Sequence, residues 1–236
     1  MILNRLLRRL GLQRLPNTPL DWGRMATRSR FADLKKQVAQ AQVIVDGGAA
    51  YGDMTKLFLD LYPNAIVHAI EPNPHFVQHL QKNFGQHPRV VIHAVALGST
   101  NGTTPFNVLN KPDSSSILLP SDLNHRYHPN ELATSQQINV PLCRLDDLIG
   151  DTIDIIKLDL QGYELEALKG SVRHLQKVRA LTTEIEFVSL YQSQPLFGDI
   201  DVFLRQHGLN LHNLYELWTQ PDGQLTAGDA LYLRHL

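Results

Sequence analysis

The feature that most constrains this chain is a repeating exchange of short apolar runs and amphipathic stretches that begins at residue 43. Val43-Ile44-Val45 is continuous and β-branched, as in a strand buried on both faces, and it stops at Asp46 and two glycines. Met54, Leu57, Phe58 and Leu61 then recur at helical spacing, which predicts a helix over Thr55 to Leu61. Ala65 to Ile70 reads as a second strand, closed by Glu71-Pro72. Pro74 to Phe84 reads as a second helix, with Pro74 suited to its first turn. Val90 to His93 is a third strand. Strand, helix, strand, helix, strand is the order of a right-handed parallel α/β sheet.

Residues 96–142 interrupt that order. Thr103 to Leu109 and Ile138 to Leu142 read as strands around a polar stretch that contains Ser114-Ser115-Ser116 and His125-Arg126-Tyr127-His128. An insertion of this length in a compact domain is usually functional or mobile, and we expect it on the acceptor side of a site. The α/β order then resumes. Ile153 to Leu158 is a strand ended by Asp159, and Glu164 to Lys169 a helix stopped by Gly170. Ala180 to Phe187 is a strand, and Ile200 to His207 a helix stopped by Gly208. Leu209 to Trp218 and Ala230 to Arg234, around Pro221-Asp222-Gly223, read as an antiparallel hairpin.

With 236 residues, 43% of them hydrophobic, the chain can bury the core of one domain. The division expected is a basic extension over 1–36, a helix with a Pro-containing linker, followed by the main domain over 37–236. Residues 1–36 carry nine Lys/Arg against two Asp, a surplus of +7, so the remainder carries −8 to give the total of −1. A near-neutral total argues against a nucleic-acid partner. The basic head could touch anionic lipid or an acidic partner; the simpler reading is a solvated extension whose leucines pack on the domain. Its arginines lie among the leucines and no small-residue cleavage site follows, so a secretory signal is not expected. The lone Cys143 excludes an intrachain disulfide and fits a reducing, cytoplasmic setting. Oligomeric state leaves no mark in the sequence.

Ligands of open α/β sheets bind outside the carboxyl ends of the strands. Gly47-Gly48-Ala49-Ala50-Tyr51-Gly52 lies at such an end, where a side chain would block approach to the backbone. Glu71 ends the second strand, where a carboxylate can accept from ribose hydroxyls. Gly47-x-Ala49-x-x-Gly52 is one substitution from the dinucleotide fingerprint. Asp46 counts against that reading, because a carboxylate beside pyrophosphate is unfavourable, whereas it suits the α-ammonium of S-adenosylmethionine (SAM). The plainer role for Asp46 is a helix cap.

A specific resemblance emerges from several blocks in order. Asp46-Gly47-Gly48-Ala49-x-x-Gly52, Glu71-Pro72-Asn73-Pro74, Ala94-Val95-Ala96-Leu97-Gly98, Ile156 to Gly170, Glu184 and Asp229 to Arg234 resemble the FkbM family of methyltransferases over roughly residues 42–234. The resemblance implies a class I methyltransferase fold. That is a Rossmann-like, mostly parallel α/β sheet of seven strands, with helices on both faces and a C-terminal antiparallel hairpin. It implies SAM as donor and usually a hydroxyl acceptor on a sugar, glycoconjugate or secondary metabolite, so the partner is a small molecule or glycan. By position, Asp46, Gly48, Ala49, Tyr51 and Gly52 would lie at the methionine half of the cofactor. Glu71 and Asn73 would lie at the ribose, and Ala94 and Val95 near the adenine. Many members carry Glu where Gln161 stands, and Val or Ile where Gly47 stands.

Methyl transfer from a sulfonium is an in-line displacement, so much of the task is positioning and desolvation. A hydroxyl acceptor must also lose its proton, which a nearby base assists. Asp159 is the first candidate, with helix capping as its plainer role, and Glu184 the second. Glu184 and Glu186 share one face of a strand. With Asp159 they could hold Mg²⁺. The favoured reading has no metal ligand here: Glu184 bonds inside the fold and Glu186 points outward. The eleven histidines offer no His-x-x-x-His pair with a helper acid, so zinc is not expected. Trp22 and Trp218 read as packing residues, and Tyr191-Gln192-Ser193-Gln194-Pro195 as a connection or a cover. A nicotinamide-dependent oxidoreductase and a non-catalytic SAM-fold module are the rival readings.

Overall fold

The computed structural model describes residues 22–128 and 133–234, with side chains described from Arg30 onward. The leucine-rich head over residues 1–21 lies outside the described residues. The first element is helix α1 (Trp22–Gln37). Strand β1 (Val43–Gly47), helix α2 (Asp53–Leu61), strand β2 (Ile66–Ile70), helix α3 (Pro74–Phe84) and strand β3 (Val90–His93) follow. The insertion supplies β4 (Ala96–Leu97), β5 (Gly102–Leu109), the short helix α4 (Asp122–Tyr127) and β6 (Thr134–Cys143). Then come α5 (Leu145–Leu148), β7 (Ile155–Leu158), α6 (Glu164–Lys169), α7 (Val172–Leu175), β8 (Ala180–Glu186) and α8 (Phe197–Gln206). The chain closes with β9 (Leu209–Thr219) and β10 (Leu225–Arg234).

Seven strands form the main sheet in the order β3-β2-β1-β7-β8-β10-β9. The first five run parallel, and β10 is antiparallel to both β8 and β9, as the hairpin reading expects. All five residues of β1 are buried, which is why its sequence does not alternate. Val43 and Val45 face one core with Ile156, Leu158 and the helices that follow β7. Ile44 faces the other, with Phe58, Tyr62 and Val67. Burying a side chain such as Ile44 contributes about 1.5–3 kcal/mol.

Helix α1 belongs to that second core. Phe31 and Leu34 are buried in it, so packing is continuous across the expected division at residue 36/37. Arg30 from the same helix pairs with Asp229 and lies 3.9 Å from Glu216, so one of the basic residues of the head serves the fold. The insertion is ordered rather than a bare loop: β4, β6 and β5 make a second sheet of three strands. Phe106, Val140 and Leu142 give it a small core of its own with Ala96. No helix among the described residues is long and apolar enough to cross a membrane.

Near the edge of the main sheet, His68 Nδ1 and His93 Nε2 are 2.9 Å apart with the rings stacked. One nitrogen must donate and the other accept, so the pair tolerates no second proton. Burial, then the neighbouring His93, lowers the His68 pKa to about 4, and burial lowers His93 as well. A histidine whose folded pKa is depressed stabilises the fold above its unfolded value, near 6.5, and loses that contribution as pH falls toward the folded value. Urea midpoints measured against pH are expected to fall more steeply below about 6.5 in the native chain than in His68→Gln. Parallel curves for the two proteins would remove the pair from the acid response.

Candidate active site

A cleft opens at the carboxyl ends of β1, β2 and β7, where the strand order reverses between β1 and β7. That reversal is the ligand position of open α/β sheets. The cavity holds about 690 Å³ and runs from Gly48, Ala50 and Glu71 to Asp159 and Gln161, with Val95 and Phe106 on its apolar walls.

The glycine loop is drawn tight. Gly48 N and Ala49 N both donate to the Ile70 carbonyl. Gly48 has φ +71°, and a Cβ there would stand 1.9 Å from the Asp159 carbonyl oxygen. Gly52, at φ +87°, precedes α2, and a Cβ there would meet Phe84. Beneath the loop, Lys157 donates to the carbonyls of Gly47 at 3.2 Å and Gly48 at 2.9 Å. Burial favours a neutral amine, yet the Asp46 and Asp159 carboxylates outweigh it and hold the Lys157 pKa above the usual lysine value.

Asp46 turns inward. It is fully buried, 3.2 Å from Lys157 Nζ, and accepts from Thr55 Oγ1 at 2.6 Å. Its side chain does not line the cavity, so the charge argument against pyrophosphate loses its force: Lys157 already neutralises it. A buried lysine in β7 carries no sequence signal of this role beyond its place before Asp159.

Glu71 does line the cavity, and its carboxylate is clasped. One oxygen accepts from Ala50 N at 3.0 Å, the other from Asn73 N at 2.8 Å. Burial pushes its pKa up to about 7, against the pull of those two N–H groups. Asn73 caps α3 by accepting from His75 N, and its buried Nδ2 has no hydrogen-bond partner. Val95 lines the cavity, whereas Ala94 is exposed outside it. Ala49 packs against Ala69 and Leu80. Tyr51 is 45% exposed, in a ring cluster with Phe76 and His79. Ala50, within the glycine segment read from the sequence, lines the cavity, and Phe76 is a cavity residue that the sequence reading missed, because nothing distinguishes it from an ordinary helix position.

At the far end, Gln161 joins the two candidate bases. Its amide nitrogen is 2.9 Å from both Asp159 Oδ1 and Glu184 Oε2. Its Oε1 accepts from the Tyr191 hydroxyl at 2.8 Å, and its carbonyl accepts from Ser116 Oγ at 2.8 Å. These bonds hold a non-glycine residue at φ +55°, a conformation that costs about 1–2 kcal/mol. Asp159 does not cap α6, whose N-cap is Tyr163 without a side-chain bond; its carboxylate faces the cavity. Burial, then Asp159 and Glu186, pushes Glu184 well above the carboxylate range.

The outward reading of Glu186 is corrected: it is 2% exposed, because β10 and the segment after β8 cover the strand end. Trp218 is corrected in the opposite direction: it is 59% exposed, beside the turn that closes the hairpin. In the polar stretch, Ser115 lines the cleft, and Ser116 is buried. Tyr127 donates to Asp222, tying α4 to the hairpin turn.

A parallel sheet reversed at β1, a glycine loop folded onto β2 and a clasped carboxylate beside it define a class I methyltransferase domain. The family model "Methyltransferase FkbM domain" matches residues 46–211. The 2-O-methyltransferase NoeI of Sinorhizobium fredii is 31% identical over 172 residues, covering 68% of this chain and 70% of that protein. Methyltransferase sdnD of Sordaria araneosa is 29% identical over 168 residues, covering 60% of this chain and 65% of its own. Among solved structures, methyltransferase FkbM from Methylobacillus flagellatus superposes with a TM-score of 0.54 at 20% identity. That match covers 82% of this chain and 43% of the other, so this chain corresponds to less than half of it. An rRNA methylase from Streptococcus thermophilus shares the fold at a TM-score of 0.51 and 10% identity, over 89% of this chain and 97% of its own. The chain belongs to the FkbM methyltransferase family.

Proposed function

We propose that this chain transfers a methyl group from SAM to a hydroxyl of a sugar or another hydroxylated metabolite. The observation that carries the reading is one cavity lined by both the clasped acid Glu71 and Asp159, with apolar side chains on its walls. Glu71 would hold the ribose, Gly48 and Ala50 would offer backbone to the methionine half, and Val95 and Phe106 would flank the adenine. When bound, SAM supplies an electrophilic methyl on a sulfonium.

The protein's own part is positioning, exclusion of water and removal of a proton. Asp159 accepts the hydroxyl proton, and Glu184 lies across the Gln161 amide as its partner. That amide nitrogen stands between the two carboxylates, where a bridging Mg²⁺ would have to sit, so we read the acceptor as activated by carboxylate alone. The NoeI relative, by its name a 2-O-methyltransferase, supports a hydroxyl acceptor. The lone Cys143 fits a reducing compartment, and we place the protein in the cytoplasm.

Thermal unfolding with SAM, S-adenosylhomocysteine and NAD tests the reading. The first two are expected to raise Tm and NAD to leave it unchanged; no response to the first two would sink the proposal. Glu71 is the stronger acceptor for ribose hydroxyls when ionised, above its pKa of about 7. S-adenosylhomocysteine affinity is therefore expected to rise as pH increases through 7. Glu71→Gln should bind about tenfold more weakly at alkaline pH and lose that dependence. An unchanged pH profile in Glu71→Gln would take Glu71 out of the clasp.

A further inference from the structure

A second cavity opens on the other side of Gln161, which among the described residues is the one that lines both. It holds about 600 Å³, and its walls include Asn124 from α4, Glu184 and Glu186 from β8, and Trp218 from β9. None of these walls is needed for the cofactor.

Two buried acceptors in this cavity wall are unpaired. Glu186 and Asn124 are each 2% exposed, and Glu186 Oε2 and Asn124 Oδ1 have no hydrogen-bond partner. The Gln194 amide lies beside Glu186 without forming an aligned bond. Buried polar atoms of a folded protein are ordinarily satisfied, so two unpaired acceptors beside one cavity call for a ligand that brings donors. Trp218 adds a flat apolar face that the fold itself leaves uncovered. Donors around an edge and an apolar C–H face are what a hydroxylated ring presents.

The alternatives fit less well. A phosphate or carboxylate would face two carboxyl groups. A cationic ring would share the wall with Lys111. Burial first, then neighbouring carboxylates, pushes both Glu184 and Glu186 well above the usual range, which leaves a wall suited to an uncharged ligand.

We propose that this second cavity is the acceptor subsite and that it takes a pyranose-like polyhydroxylated ring. Glu186 and Asn124 accept its hydroxyl hydrogens, Trp218 covers one ring face, and the hydroxyl to be methylated reaches past Gln161, which lines both cavities, toward Asp159. This rests on the methyltransferase reading and deepens it by naming where the acceptor lies and what it must look like.

The test uses the full chain saturated with S-adenosylhomocysteine. Saturation-transfer NMR and tryptophan fluorescence are followed with methyl glycosides of the common hexoses, deoxyhexoses and pentoses, with cyclohexanol and cyclohexylamine as comparisons. At least one glycoside is expected to bind, with both comparison rings weaker. Trp218→Ala and Glu186→Gln should each weaken that glycoside at least about tenfold while S-adenosylhomocysteine affinity stays unchanged. Trp218 is a surface residue, so its variant remains informative even if a change at the buried Glu186 disturbs folding. Normal S-adenosylhomocysteine binding with no glycoside bound would overturn the subsite alone. So would glycoside binding that both variants retain, or cyclohexylamine binding in preference to every glycoside. Failure to bind S-adenosylhomocysteine at all would instead strike the methyltransferase reading.

Discussion

Asp159→Asn should leave S-adenosylhomocysteine affinity within about twofold and cut kcat by about 10²–10⁴, the range associated with loss of a general base. The substitution keeps size and shape. Asn can still offer an oxygen to the Gln161 amide, which Asp159 engages at 2.9 Å. Lys157 loses a charge 3.9 Å away but keeps the closer Asp46, so the loop above it should hold. What disappears is the one carboxylate of the pair that lines the cofactor cavity. Single-turnover kinetics on an accepted sugar, with binding measured in parallel, decides the matter. Turnover equal to the native chain would remove Asp159 from the chemistry. A matched fall in affinity would recast it as a support for the loop. The native enzyme is expected to work equally well in EDTA, since Gln161 already bridges the carboxylates.

Gly48→Ala should be the most damaging single methyl group that can be added to the site. Its Cβ would lie 1.9 Å from the Asp159 carbonyl oxygen, at a φ of +71°. The left-handed conformation alone costs about 1–2 kcal/mol for a residue with a Cβ. The clash involves backbone on both sides, so no side chain can swing away. The loop must separate from β7, which would pull Gly48 from the Ile70 carbonyl and from Lys157. Denaturation should show a loss of several kcal/mol, and calorimetry a fall in S-adenosylhomocysteine affinity of at least about a hundredfold. Gly150→Ala is the control, because a Cβ there meets nothing within 4 Å and should change stability by less than about 0.5 kcal/mol. Native-like binding by Gly48→Ala would mean that the loop does not approach the ligand as the structure implies.

The bounds of α3 and β3 were legible because Pro74 and the Val90-Val91-Ile92 run act locally. The start of α1 was not: the sequence reads as helical over Ala32 to Gln40, whereas the helix spans Trp22–Gln37, because its apolar face is sparse and Phe31 and Leu34 gain their meaning only from the core they enter. The insertion hid its order for a related reason. Six of the ten residues of β6 are exposed, so this strand carries little apolar signal although it lies in the middle of its sheet. Gly48, Glu71, Val95 and Asp159 were read from the chain and stand around one cavity, since each follows the end of a parallel strand. Asp46 shared that position in the sequence and yet turned inward, because its partner Lys157 comes from a strand more than a hundred residues later.

The sequence by itself determined the parallel α/β order, the glycine loop and the acids at the strand ends, because strand length, periodicity and glycine placement are local properties. The tertiary structure alone decided which acids face a ligand and which are consumed within the fold. It buried Asp46 against Lys157, drew Glu186 inward under β10, left Trp218 outside, and set Gln161 between two carboxylates and two cavities. Burial and pairing depend on which strands become neighbours, and in a sheet that reverses at its first strand those neighbours are distant in the chain.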